Sequence, residues 1–183
     1  MHVLGLCGSL RSGSHNRRLL QAAGAQLPDD VTLEIYEGLA DVPAYNEDLD
    51  ETPEAVNVLR AAIADADAVL VATPEYNSSL PGVLKNALDW ASRPFPDNAL
   101  RHKPSAVVGA STGLFGAVWA QAETRKVLTA IGADVLDEEL PVGQAHHVFT
   151  EQGDISDPDL RAALTRILDQ LMAITNRAVS VTT

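Results

Sequence analysis

The residues best equipped for chemistry stand in three short polar stretches, each following an apolar run. The first, Gly8-Ser9-Leu10-Arg11-Ser12-Gly13-Ser14-His15-Asn16, offers three serine hydroxyls, an arginine and two glycines just ahead of a helical pattern. A helix N-terminus presents free N–H groups that favour an anion. From Arg11 to Arg18 there are three arginines and no acid, within a chain of formal charge −12. Arg17 and Arg18 in a first helical turn oppose the helix dipole, a cost that a nearby phosphate would offset. A terminal phosphate fits best, because hydroxyls and amides can wrap it from several sides. Other phosphate loops fit badly. Gly8 and Gly13 have the glycine spacing of a P-loop, but Ser14 stands where its lysine belongs. There is no G-x-G-x-x-G, and Cys7 is too close to Arg11 for a Cys-x5-Arg phosphatase loop. The plainer reading of this stretch is a serine-capped, solvated turn.

The second stretch is Thr73-Pro74-Glu75-Tyr76-Asn77-Ser78-Ser79. A turn rich in backbone donors, with Tyr76 and Asn77 at its tip, can lie along the edge of a flat heteroaromatic ring; alone, it reads equally well as an ordinary turn held by Pro74. The third is Gly109-Ala110-Ser111-Thr112-Gly113-Leu114-Phe115-Gly116, whose small residues let backbone approach a ligand closely. By itself it is a flexible connection.

These stretches need elements to hold them, and the apolar pattern supplies strands and helices in alternation. Val3–Cys7, Ala68–Ala72 and Ala106–Ala110 are continuous apolar runs of strand length, while Val31–Tyr36 alternates like a strand with one drier face. Helical stripes run from Asn16 to Leu27, from Pro53 to Ala66, from Pro81 through Ala91, and from Gly116 to Ile131. Val135 and Leu136 form a weak fifth strand, and Gly38 to Thr52 is a loop. Ser156-x-x-Asp159 resembles a capping box, with Pro158 just inside a last helix carrying Leu160, Leu164, Ile167, Leu168, Leu171 and Ile174. Alternation of this kind gives a parallel sheet covered by helices on both faces. In such a sheet, ligands bind beyond the carboxyl ends of the strands, where all three stretches fall.

The 183 residues suit one domain. The negative charge argues against nucleic-acid and anionic-membrane partners. A lone cysteine excludes an intrachain disulfide. The opening residues lack the basic start and long apolar stretch of a signal peptide, and no segment has the apolar length of a membrane span, so the expectation is a cytoplasmic protein. No carboxylate–histidine spacing stands out as a metal site; Cys7 reads as a small core residue, and Glu47, Asp48, Asp50 and Glu51 as a solvated acidic loop.

Together the loops resemble the NADPH-dependent FMN reductases of flavodoxin-like fold, which include chromate, quinone and azo-dye reductases. The resemblance covers about residues 3–140. It is carried by Gly8-Ser9-x-Arg11-x-x-Ser14-x-Asn16 and by Pro74-Glu75-Tyr76-Asn77-x-Ser79-x-Pro81-Gly82-x-Leu84-Lys85-Asn86-Ala87-Leu88-Asp89-Trp90. It implies a three-layer α/β/α sandwich with a five-stranded parallel sheet in the order 2-1-3-4-5. Ser9, Arg11, Ser14 and Asn16, with His15 between the last two, would hold the FMN phosphate. Pro74, Glu75, Tyr76 and Asn77 would flank the isoalloxazine through main-chain groups, with Tyr76 shaping its open face, and Ser111, Thr112 and Gly113 would close the far side. NADPH or NADH would be the co-substrate, a small molecule such as a quinone, chromate, azo compound or free flavin the acceptor, and the assembly a homodimer or homotetramer. Many relatives continue the third loop as Gly-Gly-x-Arg, whereas Trp119 stands here in place of the arginine, which leaves the choice between NADPH and NADH open. The alternative is a flavin-binding redox sensor or electron carrier with little turnover.

Overall fold

The computed structural model describes residues 1–182, with side chains described through residue 178. The chain runs β1 (His2–Cys7), α1 (His15–Gly24), β2 (Thr32–Ile35), α2 (Glu54–Asp65), β3 (Ala68–Thr73), α3 (Gly82–Ala91), β4 (Pro104–Ala110), α4 (Val118–Ile131), β5 (Asp134–Val135), β6 (Pro141–Val142) and α5 (Pro158–Thr182). The sheet order is β2-β1-β3-β4-β5, every pair parallel, as expected. The registers Cys7↔Ala72 and Thr73↔Gly109 bring the carboxyl ends of β1, β3 and β4 side by side. Three loops therefore open at one edge of the molecule. Among the described residues, no helix is long and apolar enough to cross a membrane.

Alternation along the central strands feeds two separate cores. Val3, Leu70, Ala72, Ala106 and Val108 face α1 and α5. Their neighbours Leu4, Leu6, Val69, Val71 and Val107 face α2, α3 and α4. β1, β3 and β4 are buried on both faces almost throughout, whereas edge strand β2 leaves Thr32 and Glu34 exposed. Trp90 belongs to the second core: its indole N–H donates to the Pro43 carbonyl at 2.8 Å, and its ring meets Tyr45 edge-on.

Three local expectations need correction. The fifth strand is broken in two: β5 pairs with the start of β4, and β6 pairs with its end. Asp137, Glu138 and Glu139 lie exposed between them, because three consecutive acids cannot continue a covered strand. Helix α1 stops at Gly24 rather than Leu27. The last helix is capped by Asp157, whose Oδ1 accepts from the N–H of Asp159 at 2.8 Å, while the Ser156 hydroxyl donates to the Val148 carbonyl. The spacing read as a capping box was one residue out of register.

Candidate functional site

Ser9, Arg11, Ser14, His15 and Asn16 line a hollow together with Pro74, Glu75, Tyr76, Ser111 and Thr112, so three loops distant in sequence share one wall. The hollow measures about 100 Å³. That is well below the ~300 Å³ at which sites for drug-sized molecules begin, so it admits a phosphate-sized group and leaves a ring system to lie across its mouth. Ala110, at the start of the third stretch, completes the lining.

The first loop is shaped by the start of α1. Ser14, 3 % exposed, is its N-cap, with Oγ accepting the Arg17 N–H at 3.2 Å. The same hydroxyl lies 3.7 Å from the Cys7 thiol, which closes the floor of the loop. Gly8 is tight for a structural reason: a Cβ there would meet Pro74 Cδ at 3.1 Å and Leu84 Cδ2 at 3.2 Å, so the first and second loops touch.

The Asn16 side chain, expected at the phosphate, has protein partners. Asn16, 2 % exposed, clasps the end of β4: its Nδ2 donates to the Ala110 carbonyl, and its Oδ1 accepts the Ala110 N–H, both at 2.9 Å. The clasp uses one Nδ2 hydrogen, which leaves the other and the main chain for an anion. Arg17 and Arg18 do not face the hollow as free cations either. Arg17 engages both carboxylate oxygens of Glu37, and Arg18 donates to the Thr150 carbonyl at 3.0 Å while lying over Phe149. Their cost against the helix dipole is met by protein partners. Arg11 is different. It is exposed and lines the hollow, and its guanidinium has no hydrogen bond or ion pair among the described residues.

The second loop closes on itself as a tight turn. Tyr76 and Ser79 exchange backbone hydrogen bonds at 3.0 and 3.2 Å, and Asn77 and Ser78 between them have φ of 54° and 63°. Two successive positive φ values are those of a type I′ turn, a conformation asparagine tolerates well. Asn77 thus forms the turn and does not line the hollow. Glu75 reaches across to cap α4, its Oε2 accepting from the N–H groups of Trp119 and Ala120 at 3.1 and 3.3 Å. Glu123 returns the tie by accepting from the Ser79 hydroxyl and the Leu80 N–H.

The third loop is braced by β6 and the residues after it. Gly116 has φ +60°, and a Cβ on Gly143 would sit 2.2 Å from the Leu114 carbonyl, so two backbones cross with no room for a side chain. Gly113 stays outside the hollow, its carbonyl accepting the Gln144 N–H at 2.9 Å. Fully buried Gln121 bridges both strands of this crossing, donating to Gly116 and accepting from Leu140. A polar residue on the inner face of an amphipathic helix is the kind of signal that could have found this support. Trp119, half exposed, meets Phe115 edge-on at 5.3 Å.

Does FMN suit these residues? The hollow offers a helix N-terminus, an uncommitted arginine and serine hydroxyls at phosphate size, with Tyr76 exposed beside it. The fit is good. Fold and site together define a flavodoxin-type protein with a phosphate-sized hollow at the carboxyl ends of its strands.

Comparison with known proteins gives the class a family. Residues 1–147 match the model for NADPH-dependent FMN reductase. An NAD(P)H-dependent FMN reductase, PA1204 of Pseudomonas aeruginosa, is 42 % identical over 172 residues, covering 92 % of each chain. A 2-hydroxy-1,4-benzoquinone reductase of a Burkholderia species is 36 % identical over 168 residues, 91 % of each chain. Among solved structures, the flavoenzyme NAD(P)H:(acceptor) oxidoreductase FerB of Paracoccus denitrificans superposes with a TM-score of 0.86 at 34 % identity, covering 96 % of this chain and 97 % of its own. The chain belongs to the NADPH-dependent FMN reductase family. It is an FMN-dependent oxidoreductase that uses NAD(P)H.

Proposed function

We propose that the chain, acting as a single flavodoxin-like domain, passes reducing equivalents from NAD(P)H to a quinone-type acceptor, with the FMN phosphate held in the hollow beneath the first loop. The uncommitted Arg11 beside the N-terminus of α1 carries this reading. Relatives bearing quinone-reductase names support the acceptor class. FMN, when bound, supplies the two-electron carrier that links nicotinamide to acceptor.

The protein's own part is binding and orientation. Arg11, the Ser9 hydroxyl and the free N–H groups of α1 hold the phosphate; Ser14 fixes the start of that helix by accepting the Arg17 N–H. Pro74, Glu75 and Tyr76 steer the ring system, with Ser111 and Thr112 on the opposite side. Tyr76, 46 % exposed, borders the face where nicotinamide and acceptor alternate. The Glu75 carboxylate is committed to α4, so the second loop contributes main-chain donors rather than a free charge there. In the same reading the enzyme works in the cytoplasm as a homodimer or homotetramer, the exposed Leu114, Phe115 and Trp119 being the apolar surface a second subunit would cover.

Arg11→Ala tests the assignment in ligand-stripped protein. Losing one charge-assisted contact, worth about 1.5–3 kcal/mol, weakens FMN binding roughly 10- to 100-fold and leaves riboflavin, which has no phosphate, unchanged. Equal FMN affinity in wild type and variant would remove the phosphate from this hollow.

A further inference from the structure

His15 is the first residue of α1 and lines the hollow with Arg11. Its ring lies parallel to Phe149, tilted by 6° with centroids 6.3 Å apart, and Phe149 carries the Arg18 guanidinium 4.7 Å from its own centroid. His15 Nδ1 is sealed from solvent and has no hydrogen-bond partner among the described residues. Protonating such a nitrogen strands a buried donor unless an acceptor is brought to it. The surroundings act the same way. Burial first, then Arg18 on its own helix, Arg11 in the first loop and His146 in the turn after β6, hold the imidazole below its ordinary pKa. Glu75 and Tyr76 line the hollow from the second loop, and the Glu75 carboxylate is already bound to α4. The counter-charge the cluster lacks is the charge a phosphate monoester carries.

We propose that His15 takes up a proton from solvent when a phosphate group enters the hollow, so that cofactor binding at this site is coupled to proton uptake. The inference rests on the FMN reading and extends it to this chain's own histidine. A phosphate near the ring favours imidazolium, so the bound form has the higher imidazole pKa and the free form the lower. Between those two values binding consumes a proton, and affinity tightens as pH falls through that window. The phosphate's own second ionisation, with pKa about 6, opposes this at lower pH. For that reason the signal is read as a difference between wild type and His15→Phe, which keeps a ring against Phe149.

Calorimetry of ligand-stripped protein with FMN, near neutral pH in two non-phosphate buffers of different ionisation enthalpy, counts the protons. Wild type takes up more protons per FMN than His15→Phe, and riboflavin shows no such difference. From about pH 8 to about pH 6 the wild-type-to-variant affinity ratio rises about threefold or more. A ring-proton NMR titration of wild type gives the same answer should the variant fold poorly: one of the five histidines titrates higher once FMN is added. FMN binding with equal proton counts and no histidine shift would overturn the role of His15 and leave the FMN site standing. Failure of correctly folded wild type to bind FMN would overturn both.

Discussion

Asn16→Ala separates a clasp from a ligand. In the intact protein the Asn16 amide satisfies both main-chain groups of Ala110 at 2.9 Å, 94 residues away in sequence, and both residues are 2 % exposed. The substitution removes both bonds and orphans a buried N–H and a buried C=O. Each orphan costs about 1–3 kcal/mol, so the sum is about 2–5 kcal/mol after partial relaxation. For a chain of this size a kilocalorie corresponds to roughly 2–4 °C, which places the expected fall in Tm at about 5–15 °C. The assay is thermal unfolding of ligand-stripped protein, followed by circular dichroism with no flavin present. FMN affinity falls as well, because the first and third loops lose their direct tie. The reasoning is refuted by a variant whose flavin-free Tm matches wild type but whose FMN affinity has dropped. That result would make the Asn16 side chain a phosphate ligand.

Two further substitutions probe the other ties. Glu75→Ala uncaps α4 from a distance, and removing a cap costs about 1 kcal/mol; denaturant unfolding of stripped protein should register that loss together with weaker FMN binding. Gly143→Ala forces a Cβ to within 2.2 Å of the Leu114 carbonyl, a backbone collision that no rotamer relieves. Its expected cost is above about 3 kcal/mol, read as a large drop in Tm or in the yield of folded protein, and a variant as stable as wild type would mean the two backbones do not cross.

The fold was legible because the sheet interior leaves little choice. Apolar runs such as Ala68–Ala72, with no polar alternation, have to be covered on both faces, and the helices between them arrive at helical spacing. The fifth strand was only half legible: Val135 offers one apolar residue to β4, and the acids that follow interrupt the run before Val142 resumes it. At the site, residue types pointed to three loops that do line one hollow, but types alone do not say which polar groups are already engaged. Arg11 and Arg17 look alike in sequence. Glu37, twenty residues beyond Arg17, decides that only one of them is free. Asn16, Glu75 and Gln121 are likewise polar residues whose partners lie 94, 44 and 19 positions away, and nothing in local spacing encodes those pairings. At Asn77 the positive φ is a local property that asparagine permits, and it sets the tip of the second loop.

These long-range ties have one consequence in common. Asn16 joins the first loop to the third, Glu75 and Glu123 join the second loop to α4, and Gly143 packs the segment after β6 against the third. Each tie is formed between protein groups alone, so the hollow holds its shape without needing a ligand to assemble it. Binding then costs little ordering of the loops, and more of the contact free energy appears as affinity. Arg11 and His15 remain the adjustable parts: one is a side chain without a partner, the other a ring whose charge depends on what enters. The stability of the loops and the affinity for the phosphate are therefore expected to respond to different residues. Substitutions at Asn16 or Gly143 shift unfolding of the flavin-free protein, whereas those at Arg11 or His15 shift binding and leave unfolding nearly where it was.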